Sequence, residues 1–268
     1  LGLELADLLV HQNDLAGAIR ALEWLRGLVP GDEAILSRLS ELQLKAGHLG
    51  DALAALDELA THHRDAGRLE QMAAVLDRMS QMAPNNIGVK TKLIDAYLQR
   101  GFVEQARREL ELRAQLQITS GKLADAIASL QRAADICWTL GRPQEAFVLA
   151  ERMVSVQSSN SDARQYLITL YLQAGMLGPA VEHTWALANM HLAAGNQRDA
   201  TAAPHHIIGL SPDDSKAHHR LGETLASIGE YAQAERVYRR LVRDHPDDQV
   251  ARARQVAMAA LVGETDAA

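Results

Sequence analysis

Nine turn positions in this chain are separated by 34 or 20 residues and by no other spacing: Asn13, Gly47, Gly67, Gly101, Gly121, Gly141, Gly175, Gly195 and Gly229. A fixed internal period is the mark of a repeat architecture, and it constrains the fold more than any other feature of the sequence. Measured from each turn, the same residue types return. Five residues on stands a small residue: Ala18, Ala52, Ala106, Ala126, Ala146, Ala180, Ala200 or Ala234, with Met72 as the exception. Two, nine and twelve residues on, the positions are mostly apolar, as in Leu15, Leu22 and Leu25 or Tyr231, Tyr238 and Leu241. Offsets of three and four place apolar side chains on one helical face. Seventeen residues on come Pro30, Pro84, Pro212 and Pro246, which end a helix because proline cannot continue its hydrogen-bond ladder.

A span of 34 residues accommodates two helices and their turns. A span of 20 accommodates one helix of about 16 residues, roughly 24 Å long. In the short spans a small residue lies seven before the closing glycine, at Ala60, Ala114, Ala134 and Ala188. Gly222 has that place before Gly229. The single helix is therefore expected to serve as second helix of one repeat and first helix of the next.

The segment His218-x-x-Leu221-Gly222 … Gly229-x-Tyr231-x-x-Ala234 … Tyr238 … Leu241 … Pro246 resembles the tetratricopeptide repeat, with His218 where the family prefers Trp. The resemblance extends from Leu3 to Pro246. It implies an all-α, right-handed superhelical solenoid of about fifteen helices. The expected organisation is one solenoid over residues 1–248, a capping helix over 249–262 and a tail over 263–268. Pro204 falls where a helix interior is expected and predicts a bend there. Leu1 falls inside a first helix, so the sequence reads as a piece of something longer, and the expected location is cytoplasmic.

Composition narrows the function. Hydrophobic residues make up 47% of the chain but aromatic ones only 4%, which suits a thin core of Ala and Leu between paired helices. No run of 18 apolar residues predicts a membrane span. The net charge is −7, and the Arg clusters at Arg107–Arg108 and Arg236–Arg243 are interleaved with acids, which argues against nucleic acid. Cys137 is the single cysteine, so no internal disulfide can form. The adjacent pairs His62–His63, His205–His206 and His218–His219 diverge by about 100° on a helix and cannot chelate one ion within a pair. No metal site, cofactor or enzyme activity is expected, since no phosphate loop, nucleophile elbow or zinc motif occurs.

In the tetratricopeptide family the concave face is lined by first helices. Carried to this sequence, the resemblance nominates Ser37, Glu41 and Lys45; Thr91, Asp95 and Gln99; Gln165, Thr169 and Gln173; and His219, Glu223 and Ser227. The function it implies is a protein–protein interaction scaffold that binds a peptide or partner helix there. A sensor arm of a larger signalling or transcription protein, binding a small ligand or peptide, is the alternative. A known subgroup grips chaperone carboxylate tails with Lys and Asn at such places, and the acids here disfavour that. Glu41, Asp95 and Glu223 favour a neutral or basic partner. Self-association through Gln249 to Val262 is also open.

Overall fold

The computed structural model describes residues 2–202 and 214–266. Pro204, His205, His206, Ile207 and Pro212, all named above, lie outside them. The described residues form helices joined by short connections, with no strand among them. The helices are α1 (Gly2–His11), α2 (Leu15–Leu28), α3 (Glu33–Lys45), α4 (Leu49–Asp65), α5 (Leu69–Met82), α6 (Ile87–Gln99), α7 (Val103–Thr119), α8 (Leu123–Thr139), α9 (Pro143–Val156), α10 (Ser161–Gln173) and α11 (Leu177–Ala193). They continue with α12 (197–202, up to the edge of the described residues), α13 (Ser215–Ser227), α14 (Tyr231–Asp244) and α15 (Gln249–Asp266). The chain divides into two compact units, Leu1–Arg142 and Pro143–Ala268. In the first, each helix from α1 to α8 packs on the next; in the second, α9 packs on α10, α10 on α11, α13 on α14 and α14 on α15.

The nine turns share one hydrogen-bond scheme. After α3, the Gly47 N–H donates to the Leu44 carbonyl at 3.0 Å and the His48 N–H to the Gln43 carbonyl at 2.8 Å. This is the Schellman closure, which needs a left-handed residue just past the helix. Gly47 has φ of 81°, and the other turn glycines lie between 69° and 83°. Asn13 takes the same conformation at φ 67°. Asparagine tolerates it better than most residues because its short polar side chain bonds locally.

Another ending alternates with this one. Ahead of Pro30, Pro84 and Pro246, the residues Val29, Ala83 and His245 have φ between −133° and −130° and ψ between 69° and 80°, outside the helical region that a following proline disfavours. The chain then re-enters a helix through a side-chain cap. Asp32, Asn86, Asn160, Asp214 and Asp248 each accept from a backbone N–H three residues on, at 2.8–3.1 Å. Helices that follow a glycine directly lack such a cap at His48, Arg68, Phe102, Lys122, Met176 and Glu230.

The 20-residue spans hold α4, α7, α8 and α11, each one helix of 17 residues. The alanines five after the turns are fully buried, and Met72 is 6% exposed. Gly222 packs so closely on Tyr238 that a Cβ would lie 2.4 Å from its ring. The positions two after the turns are less buried than an apolar stripe suggests, with Leu49 and Leu177 about two-fifths exposed, because they open the helix at its solvent end. Helix α15 continues to Asp266, so residues 263–266, expected as tail, are helical.

The core has a polar exception in α5–α8. Lys90 is buried, and its Nζ lies 2.8 Å from Glu109 Oε2 and 3.3 Å from Ser80 Oγ. Arg113 occupies the place, twelve after Gly101, that carries Leu59 or Met79 in other repeats. It is buried and donates to Ser129 Oγ and Thr91 Oγ1, both at 3.2 Å. Ser129 in turn donates to Gln117 Oε1 at 2.6 Å. Burial, with the Arg132 charge nearby, pushes the Arg113 guanidinium below its ordinary value.

Candidate binding surface

A helix whose inner stripe is buried against its partner leaves the residues ten, six and two before its closing glycine on another face. The twelve nominated residues occupy these places on α3, α6, α10 and α13, and all are exposed or half-buried. Several line recesses between neighbouring helices. Asp95 and Gln99 of α6 join Asp57, Ala60, Thr61 and Arg64 of α4 around a recess of about 190 Å³ floored by Met72 and Leu76 of α5. Gln165, Thr169 and Gln173 of α10 face Thr184, Leu187 and His191 of α11 across about 610 Å³, with Ile168 and Leu172 beneath and Asp199 and Ala202 of α12 at the side. Glu223 and Ser227 of α13 face Trp185, Asn189 and Leu192 of α11 across about 290 Å³. Ser37, Glu41, Lys45, Thr91 and His219 line none of these three recesses.

Internal bonding takes up part of the set. Thr91 Oγ1 donates to the Ile87 carbonyl at 2.9 Å while accepting from Arg113. Thr169 and Ser227 hydroxyls donate to carbonyls of their own helices at 2.9 and 2.7 Å. His219 Nε2 lies 2.7 Å from Asp248 Oδ2, and Asp248 caps α15. The Ala251 backbone bond and His219 hold the Asp248 carboxyl below the usual carboxylate range. His219 thus links α13 to the cap of α15.

The acids are also engaged. Glu41 lies 3.2 Å from Arg38 and 3.7 Å from Arg78, Asp95 lies 3.9 Å from Arg132, and Glu223 lies 3.0 Å from Arg254. Each carboxylate has a local counter-charge, so the preference for a basic partner expected from them does not follow from this arrangement. Lys92 and Asp57 pair between α6 and α4 beside the first recess.

The lining residues outside the nominated set include Asp57 and Thr61 on α4, and Trp185 and Asn189 on α11. They stand ten and six before Gly67 and Gly195. The signal was present, because a helix that doubles as a first helix should lend the same offsets to the surface.

Among the described residues no group of three His, Cys, Asp or Glu side chains could hold a metal. Burial pushes His63 below its ordinary value, and burial with the Arg164 charge does the same to His183. Cys137 is buried on α8. Among the described residues no helix is long and apolar enough to cross a membrane.

Models of the tetratricopeptide repeat match residues 3–68 and 191–257. No curated protein matches the sequence. Solved structures similar to it include the TPR domain of P58(IPK), at 11% identity and TM-score 0.34, covering 98% of both chains. The chain is also similar to MamA, at 15% identity and TM-score 0.36, over 71% of this chain and 96% of that one. A third is YrrB, described as a TPR protein with an unusual peptide-binding site, at 14% identity and TM-score 0.32, over 86% and 95%. With its turns, buried alanines and paired helices matched to these repeat models at both ends, the chain belongs to the tetratricopeptide repeat family.

Proposed function

We propose that this interaction scaffold holds an extended segment of a partner protein in the recesses between its first helices, without catalysis of its own. The observation that carries the reading is the repeated build of those recesses. Each places polar groups such as Thr61, Gln99, Gln165, Gln173 and Asn189 around apolar ground such as Met72, Leu76, Ile168 or Trp185. Apolar ground seats a side chain, and the carboxamides and hydroxyls bond to a peptide backbone. Because the face's acids are already paired, its occupant is a neutral or mixed-charge segment. The test is capture of the partner by the native chain and by a variant in which Thr61, Gln99 and Thr169 are each replaced by Tyr. These exposed or half-buried positions tolerate the change in the fold. Filling the recesses should weaken capture by at least about tenfold, as loss of a buried anchor does. Undiminished capture would place the interface elsewhere.

A sensor role is favoured by one feature, the recess of about 610 Å³ between α10 and α11. That volume is in the range of small-ligand sites. A small molecule that raises the unfolding midpoint, and fails to do so after Leu172→Trp, would support it.

A further inference from the structure

The recess between α11 and α13 contains a positive charge that pairs with no carboxylate among the described residues. Its lining residues are Trp185, Asn189, Leu192, Arg220, Glu223, Thr224 and Ser227, around about 290 Å³. The Arg220 guanidinium carbon stands 4.6 Å from the centre of the Trp185 ring. The ring face attracts the cation and fixes its position, and the fork of N–H donors in the guanidinium plane stays available. The lining's one carboxylate, Glu223, is engaged at 3.0 Å by Arg254 of α15. Among the described residues, Arg220 has no carboxylate partner. Trp185 is 2% exposed, and its indole N–H has no acceptor. A buried donor left without an acceptor is costly.

We propose that this recess receives the acidic side chain of the bound peptide, with Arg220 donating to its carboxylate and the Asn189 carboxamide bonding beside it. The inference rests on the peptide-binding reading above and names the chemistry of one subsite. An Asp or Glu side chain matches the one charge that Arg220 presents to the recess. A phosphate would bring a second negative charge against Glu223. A chain terminus would need further cations at neighbouring groove places, and Gln165, Thr169, Gln173 and Ser227 supply none.

The experiment is panning of a displayed random nonapeptide library over the whole chain. A selected peptide is then titrated in its amidated form and followed through the indole N–H signals of the three tryptophans. The expected result is a selected position restricted to Asp or Glu. The Trp185 signal shifts on binding, and affinity falls about tenfold when the acid is replaced by Gln or the protein carries Arg220→Gln, as loss of a charge-assisted pair predicts. Arg220 is exposed, so this variant should melt as the native chain does. Peptides selected without an acid, binding equally to Arg220→Gln, or binding only as phosphopeptides or with a free C-terminus would overturn the proposal. A panning that selects nothing fails the peptide-binding reading itself; peptides indifferent to Arg220→Gln fail only this inference.

Discussion

Gly121 and Gly50 occupy opposite positions in the repeat, and their difference shows what the period specifies. Gly121 closes α7 at φ 73°, a conformation in which a Cβ costs about 1–2 kcal/mol. Gly50 lies in the first turn of α4, outside the left-handed region and with nothing near the place of a Cβ. Gly121→Ala should therefore lower the unfolding free energy by about 1 kcal/mol, while Gly50→Ala should leave it unchanged or raise it by up to about 1 kcal/mol. Urea unfolding of the two variants would check this; equal effects would mean that the turn geometry is not the reason for the glycine. The turn residues were legible in the sequence because one backbone requirement recurs at fixed spacing. The caps at Asp32, Asn86, Asn160, Asp214 and Asp248 obey an equally local rule, yet they repeat only where a proline or irregular ending precedes them, so the main period does not reveal them.

At the scale of the helix, the 20-residue spans were readable because Ala60, Ala114, Ala134 and Ala188 keep a first-helix signature on a helix placed as a second one. The polar layer of α5–α8 was not readable. Periodicity assigns Arg113 to a leucine place, but it cannot say that Thr91 and Ser129 will converge on it from α6 and α8. Lys90 and Glu109 pose the same problem across nineteen residues. Removing one partner of a buried pair strands the other's charge and typically costs about 3–5 kcal/mol. Glu109 is partly exposed, so Glu109→Ala should sit at the lower end, near about 3 kcal/mol. The double variant Lys90→Met, Glu109→Leu should lose less than Glu109→Ala alone. Denaturant midpoints of the single and double variants decide it; additive losses would mean that the two groups do not support one another.

At the scale of the molecule, each unit repeats one construction: a glycine closure, a buried alanine and a first helix that leaves its ten, six and two places outside the core. The fold followed from the sequence because every repeat carries the same three marks. The proposed binding surface rests on the sequence only in part. Sequence offsets nominate a face but do not show which carboxylates find an arginine, and Arg38, Arg132 and Arg254 altered the charge expected from Glu41, Asp95 and Glu223. They also do not show that His219 would be drawn to Asp248. The central claim is that partners bind in the recesses of the first helices. Its most direct test is photo-crosslinking from single sites in cells that make the protein. A photoreactive residue at Thr61, Gln99, Gln173 or Asn189 should give adducts with one partner, while the exposed second-helix sites Val148 and Arg236 should give none. Adducts confined to Val148 or Arg236, with the recess positions silent, would contradict the account.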